Sequence, residues 1–232
     1  LFKYCINQDD DVNKYFIIGK DSPDYNRLKK ECKNIVAFRS AKHKILFTFS
    51  EKLVSSQVNK FILNPFLASN EFLYNGAVLH DECFIQHGVI LHDLSNWIRK
   101  YVYNLSLFVT SAEAEWESIA HTNYNFETDR IQLLGLPRYD NLNNKGLKKQ
   151  IVIMPSWRNY LTNEEIFKES EYFKRFNSLI NNERLIKHAN EKGYEILFKP
   201  HPELLRYLDL FDKNDYVQID EHKKYQVIFN ES

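Results

Sequence analysis

Short apolar runs, rich in β-branched and aromatic residues, alternate along this chain with longer polar or amphipathic stretches. Such runs favour β-strands, and the separations between them leave room for crossover helices. The pattern therefore predicts an α/β fold, in which a mostly parallel sheet carries helices on both faces. Six strands are predicted in the first part of the chain: Tyr15–Gly19, Ile35–Phe38, Lys44–Phe49, Cys83–Gln86, Leu107–Thr110 and Ile131–Leu134.

A linker-like segment, Tyr139–Gln150, is rich in Asn and Lys and contains Gly146. It places a domain junction between residues 1–145 and residues 146–232. Three further strands are predicted after the junction: Ile151–Met154, Glu195–Lys199 and Tyr216–Ile219. A doubly wound domain normally has more strands. We therefore expect the second domain to be incomplete and the chain to be a piece of a longer polypeptide.

Two helices are indicated by periodicity and by their end signals. Ser111–Ala120 predicts a helix with Ser111 as N-cap and with acidic residues in the first turn, where they oppose the helix dipole. Glu169–Asn190 repeats its apolar residues at mixed spacings of three and four, and Gly193 provides a stop.

Composition excludes several function classes. Lys plus Arg and Asp plus Glu both number 31, so no global charge favours nucleic acid or an anionic membrane. The three cysteines are odd in number and widely spaced, which suits a reducing compartment better than a disulfide framework or a zinc site. No apolar stretch is long enough to span a bilayer. We expect a cytoplasmic protein that is soluble or peripherally attached to a membrane.

Two cationic turns follow predicted strands of the second part. Pro155-Ser156-Trp157-Arg158 follows one strand, and Lys199-Pro200-His201-Pro202 follows the next. The carboxyl ends of neighbouring parallel strands form the usual ligand edge of an open α/β sheet. We interpret Ser156, Arg158, Lys199 and His201 as candidate ligands of a diphosphate, with Arg158 offering a planar fork of donors. In the alternative interpretation, the prolines only terminate strands and the cations are solvated.

The first part offers a candidate general base. His87-Gly88 follows the predicted strand Cys83–Gln86, and histidine suits proton abstraction near neutral pH. A hydrogen-bonded loop histidine is the competing explanation. Farther along, Arg138 and Asp140 lie in Gly135-Leu136-Pro137-Arg138-Tyr139-Asp140, where they face a cleft or hinge or form a surface ion pair.

Nothing in the sequence calls for a metal or a cofactor. A local group of acids and histidines lacks the helical spacing that places two histidines on one face: His80, Asp81, Glu82, His87, His92 and Asp93. Glycine-rich dinucleotide and P-loop motifs are missing from the sequence. We therefore predict no metal site and no cofactor.

Read in order, these motifs resemble those of the CDP-glycerol glycerophosphotransferase family, which includes teichoic acid and capsule polymerases of bacteria. The resemblance implies a GT-B architecture: two Rossmann-like domains face a cleft, and the C-terminal domain holds the nucleotide donor. His87 matches the family base, and Arg158 and His201 match positions associated with the donor pyrophosphate. Lys199 and Arg138 are weaker matches, and Asp140 aligns with the acid after the GxPR turn.

The implied reaction transfers a glycerol phosphate, or another polyol phosphate, from a CDP-alditol to a hydroxyl of a cell-surface polymer or its lipid-linked precursor, with release of CMP. The resemblance implies a polyol-phosphate or glycan acceptor, no nucleic-acid partner, and work at the inner face of the cell membrane. Two alternatives stay open: a GT-B glycosyltransferase or epimerase acting on a sugar nucleotide, and a non-catalytic fragment.

Overall fold

The computed structural model describes residues 1–66, 74, 76–143 and 146–232. These residues form two compact units, Leu1–Asp140 and Asn141–Ser232, which are described separately. Every strand pairing in both units is parallel. The predicted α/β class with parallel sheets is confirmed.

The first unit contains a two-stranded sheet and a four-stranded sheet. In chain order its strands are β1 Phe16–Ile18, β2 Ile35–Ala37, β3 Lys52–Ser55, β4 Asp81–Phe84, β5 Leu105–Thr110 and β6 Ile131–Leu133. Strands β1 and β2 pair with each other, and the other four are ordered β3-β4-β5-β6. Its described helices are α1 Phe2–Ile6, α2 Tyr25–Glu31, α3 Ala41–Phe49, α4 Lys60–Leu63 and α5 Glu113–His121. Short 3₁₀ segments cover Thr128–Arg130 and Pro137–Tyr139.

The described residues of the second unit form one three-stranded sheet, ordered β7-β8-β9. The strands are β7 Gln150–Ile153, β8 Glu195–Phe198 and β9 Val217–Ile219. The helices are α6 Glu164–Glu169, α7 Glu171–Ile180, α8 Glu183–Lys192 and α9 Tyr225–Glu231, with a 3₁₀ segment at Pro202–Leu210.

Each unit buries its own apolar core. In the first unit, Phe108 of β5 is fully buried, and its ring lies 5.1 Å from that of Phe84 and 5.6 Å from that of Phe126. In the second unit, Phe167 stacks on Tyr207 with ring centroids 4.4 Å apart. Burial of such aromatic side chains stabilises each unit.

The prediction of a strand at Lys44–Phe49 is wrong, because these residues belong to helix α3. The Ser40 side chain accepts a hydrogen bond from the His43 backbone N–H at 3.2 Å and so starts the helix. His43 and Phe47, four residues apart, are the buried side chains of this helix. The true strand, β3, begins three residues after the helix and was not predicted.

Two helix predictions also need correction. Ala112, not Ser111, is the N-cap of α5, because the Ser111 N–H and hydroxyl both bond to the Glu115 carboxylate. The predicted helix over Glu169–Asn190 is two helices, and Asn182 caps the second by accepting from Leu185 N–H at 3.0 Å. The predicted stop at Gly193 is confirmed by its left-handed φ of 69°.

Candidate active site

The carboxyl edge of the four-stranded sheet gathers one polar residue from the end of each strand. Ser56 follows β3, His87 follows β4, Ser111 follows β5 and Arg138 follows β6. Because the four strands are parallel neighbours, the segments that leave them meet at one edge. Hydrogen bonds join His87 directly to two of these segments.

The His87 ring is exposed, and its orientation is fixed by one hydrogen bond. Nδ1 lies 2.8 Å from the carbonyl oxygen of Ser56. A carbonyl oxygen only accepts, so Nδ1 carries the proton and donates it. In the neutral ring, Nε2 then has a free lone pair on the side away from the bond. This is the tautomer that a general base requires.

Arg138 holds the backbone of the same residue. Its Nη1 donates to the carbonyl oxygen of His87, and its guanidinium carbon lies 5.7 Å from the centre of the Tyr139 ring. The polypeptide reaches this position through Gly135, whose φ of 80° is a conformation that glycine adopts without strain. The guanidinium thus holds the His87 turn. Within the part of the chain that the structure describes, it does not form the surface ion pair with Asp140 that the alternative interpretation predicted. Asp140 is exposed at the end of the 3₁₀ segment.

A buried carboxylate behind the turn was missed by sequence reasoning. Glu115 of α5 is 4% exposed and accepts from the backbone N–H of Ile90 at 2.7 Å and from the Gln86 side chain at 3.1 Å. In the sequence, Glu115 is visible only as an acidic residue in the first turn of a predicted helix. It was interpreted only as a favourable charge near the helix N-terminus.

In the second unit, the two cationic turns leave adjacent strands. Ile153, the last residue of β7, pairs with Phe198, the last residue of β8. The turn after β7 is anchored by Tyr172, whose hydroxyl donates to the Ser156 carbonyl at 2.9 Å. Burial raises the pKa of Tyr172 to about 12, against the opposing influence of the nearby Arg158, so the hydroxyl keeps its proton.

Arg158 and Ser156 have exposed side chains on this turn. Among the residues that the structure describes, the Arg158 guanidinium has no carboxylate within ion-pair distance. Its five donors are therefore available to an anion. Trp157 between them packs against the core and stacks on Tyr207.

His201 caps the 3₁₀ segment Pro202–Leu210. Its Nδ1 accepts the backbone N–H of Glu203 at 3.2 Å, so in this state the ring proton is on Nε2. Nε2–H is then a donor suited to a phosphate oxygen. The two histidines thus have opposite tautomers: Nε2 accepts in His87 and donates in His201.

Lys199 differs from the other predicted donor ligands because it is buried. Its residue is 5% exposed, and Nζ lies 3.7 Å from the Asp220 carboxylate and 5.8 Å from the centre of the Tyr225 ring. The pKa of Asp220 is lowered, chiefly by the backbone N–H of Lys223 and further by the Lys199 charge. Lys199 already has an anionic partner.

The described part of the chain contains no group of three or more His, Cys, Asp or Glu side chains that could hold a metal ion. Within the same described residues, no helix has the length and apolar character needed to cross a bilayer.

Comparison with known proteins identifies the family. The model of the family described as CDP-Glycerol:Poly(glycerophosphate) glycerophosphotransferase matches residues 1–232. The chain is 43% identical over 244 aligned residues to the minor teichoic acid biosynthesis protein GgaB of Bacillus subtilis (strain 168). The alignment covers 100% of this chain but only 27% of that protein. This chain belongs to the CDP-glycerol:poly(glycerophosphate) glycerophosphotransferase family.

Proposed function

We propose that this chain is part of an enzyme that transfers glycerol phosphate, or another polyol phosphate, from a CDP-alditol to a hydroxyl of a cell-surface polymer or its lipid-linked precursor. The single observation that carries the proposal beyond family membership is the exposed His87 ring with its Nδ1 proton donated to Ser56. This arrangement presents a lone pair at Nε2 to a hydroxyl. The released product is CMP.

The proposed architecture is GT-B, with residues 1–145 as the acceptor-side domain and 146–232 as the first part of the donor domain. The parallel sheets of both units support it. The chain spans about a quarter of the length of GgaB. We propose that the enzyme acts at the inner face of the cell membrane, where a lipid-linked acceptor is available.

In the proposed mechanism, an acceptor hydroxyl attacks the β-phosphorus of the CDP-alditol. His87 Nε2 takes the hydroxyl proton as the new phosphorus–oxygen bond forms. The bond between the β-phosphorus and the bridging oxygen breaks, and CMP leaves with that oxygen. Because phosphoryl transfer needs little covalent help from protein, positioning of the nucleophile and compensation of charge supply most of the rate enhancement.

Arg158 and His201 are proposed to bind the diphosphate. A guanidinium can donate two parallel hydrogen bonds to phosphate oxygens, and Nε2–H of His201 adds one more. As CMP departs, charge accumulates on its phosphate, and these donors stabilise it. Ser156 lies on the same turn as Arg158 and is proposed to contribute its hydroxyl. Lys199 is the weakest of the proposed donor ligands, because its charge is already paired with Asp220.

The test is CMP release by the whole protein carrying His87→Ala, with CDP-glycerol as donor. Loss of a general base is expected to lower kcat by about 10²- to 10⁴-fold. His92→Ala, an exposed histidine five residues farther along, is the matched control and should keep the parental rate. CMP release by His87→Ala at the parental rate would remove the base from the mechanism. A clear preference for a UDP-sugar over CDP-glycerol and CDP-ribitol would replace the proposed donor.

A further inference from the structure

The carboxylate of Glu115 accepts four hydrogen bonds in the interior of the first unit. Oε1 accepts from Ile90 N–H at 2.7 Å and from Gln86 Nε2 at 3.1 Å. Oε2 accepts from Ser111 N–H at 2.7 Å and from the Ser111 hydroxyl at 3.1 Å. Four bonds match the number of lone-pair sites that a carboxylate offers. The charge is thus fully hydrogen-bonded although the residue is buried.

Gln86 links this carboxylate to the backbone beside His87. Its side chain is buried and also donates to the Val109 carbonyl of β5 at 2.6 Å. Its φ of 57° is unfavourable for a residue other than glycine. Such a conformation persists where surrounding contacts hold it, and here the two side-chain bonds do so. His87, the next residue, is exposed.

The anchored groups lie on both sides of the His87-Gly88 pair. Gln86 precedes the pair, and Ile90 follows it, yet both bond to the same carboxylate oxygen. The carboxylate therefore closes the turn from inside, while Ser56 and Arg138 bond to His87 itself.

We propose that Glu115 and Gln86 are positioning residues for the proposed base: they fix the turn so that Nδ1–H of His87 meets the Ser56 carbonyl and Nε2 faces the acceptor. The inference rests on the proposed function, since it assigns His87 the role of base. Neither residue touches the substrate, and both act through the geometry of His87.

The substitution Glu115→Gln tests the carboxylate with little change in shape. An amide has one oxygen, so it places an NH₂ group against the N–H donors of either Ser111 or the Gln86–Ile90 side. The hydrogen bonds on one side of the carboxylate are then lost, and that side of the turn is no longer held. A displacement of the base by about 1 Å is expected to lower kcat for CMP release by about 10- to 100-fold.

The matched control is Glu113→Gln. Glu113 lies in the same first turn of α5, its side chain is exposed, and the change in charge is identical. The kcat of the Glu113→Gln variant is expected to stay within about twofold of that of the parent, because an exposed charge at the start of a helix contributes little to stability. A second test variant is Gln86→Asn. Asn tolerates a positive φ well but is too short to reach both partners of Gln86.

Combination with His87→Ala separates positioning from general damage to the fold. If Glu115 acts through His87, then Glu115→Gln lowers kcat in the parent but leaves the residual rate of His87→Ala unchanged. An equal fold-loss in both backgrounds would overturn the positioning role while leaving the proposed base intact. A parental rate in His87→Ala would instead reject the proposed function itself.

A spectroscopic measurement does not depend on activity. Nitrogen-15 spectra of histidine rings distinguish the two tautomers, and the His87 signals are those lost in His87→Ala. We expect His87 to carry its proton on Nδ1 in the parent and in Glu113→Gln, and to become a mixture of tautomers in Glu115→Gln or Gln86→Asn. An unchanged Nδ1–H signal in folded Glu115→Gln and Gln86→Asn would contradict the proposal.

Discussion

At the scale of single residues, the two basic side chains of the second unit have different surroundings, and these decide what each can bind. Arg158 is exposed, whereas Lys199 is buried beside Asp220. Removal of an exposed binding group lowers the affinity for the ligand. Removal of a buried partner leaves a carboxylate without its counter-ion and affects the fold.

We predict that Arg158→Ala raises KM for CDP-glycerol by at least 10-fold and leaves the melting temperature nearly unchanged. Arg158→Lys should recover only part of the affinity, because a point charge lacks the two parallel donors of a guanidinium. Steady-state kinetics of CMP release and thermal unfolding measure both quantities.

The comparison for this prediction is Lys199→Met, which is similar in length but uncharged. It is expected to lower the melting temperature, because Asp220 loses its partner. If Lys199→Met raises KM more than Arg158→Ala does, the assignment of Arg158 as the main donor ligand is wrong.

At the scale of elements, helix α3 depends on a neutral histidine. Burial lowers the pKa of His43 to about 4, and Nδ1 accepts the backbone N–H of Arg39 at 3.0 Å. Arg39 has a φ of 61°, so this bond also holds a strained residue between β2 and the helix. Protonation of Nδ1 would remove the acceptor.

The first unit is therefore expected to lose stability as the pH falls. Unfolded His43 binds a proton below its ordinary pKa of 6.5, whereas folded His43 does so only near 4. Between about pH 7.5 and about pH 5 the free energy of unfolding should fall by about 2 kcal/mol from this residue alone. Urea unfolding at the two pH values measures the change.

His43→Asn removes the titrating ring and should flatten this part of the pH dependence, although it lowers stability at neutral pH by leaving a cavity. His121→Asn is the control, because His121 is exposed beside Glu117 and should leave the slope unchanged. Equal slopes in the parent and in His43→Asn would show that another group is responsible.

The sequence predicted most strands, because the apolar runs at β4–β9 are compact and end at clear turns. It failed at α3, since a run such as Lys44–Phe49 fits a short helix as well as a strand. The Ser40 cap is a local signal for the helix that the strand prediction did not use. The hydrogen bond between His80 Nδ1 and the Phe47 carbonyl, at 2.9 Å, is a long-range contact that a local pattern does not contain.

The candidate site shows the same limit. His87, Arg138 and Arg158 were predicted as site residues from their positions after strands, because strand ends are visible in sequence. The Gln86–Glu115 pair joins residues 29 positions apart and requires a positive φ at a residue that rarely adopts one. No periodicity signals that combination. Lys199 was predicted as a ligand by the same positional rule. Its burial beside Asp220 could not be predicted from the local sequence, because Asp220 follows β9, a different strand.

At the scale of the whole molecule, the two separate cores lead to a paired prediction. Ile131 of the first unit and Ile196 of the second are both almost fully buried. Substitution of either by Val removes one methyl group and should cost about 0.5–1.5 kcal/mol. Hydrogen exchange monitored by mass spectrometry should then speed up by about 5-fold in the unit that carries the change.

Each substitution is the control for the other. Ile131→Val is expected to act first on peptides from β3–β6, and Ile196→Val on peptides from β7–β9. Equal acceleration in both units by either variant would show that the two cores unfold as one.

The open space around Gly88 has a practical consequence. A Cβ built there meets no atom within 4 Å, and Gly88 has no positive φ that would strain another residue. A single thiol introduced at this position can carry a fluorescent dye beside the proposed base. Of the native cysteines, Cys83 is buried, and Cys5 and Cys32 can be replaced to make labelling selective. Binding of the proposed polymer acceptor could then be followed directly, in real time.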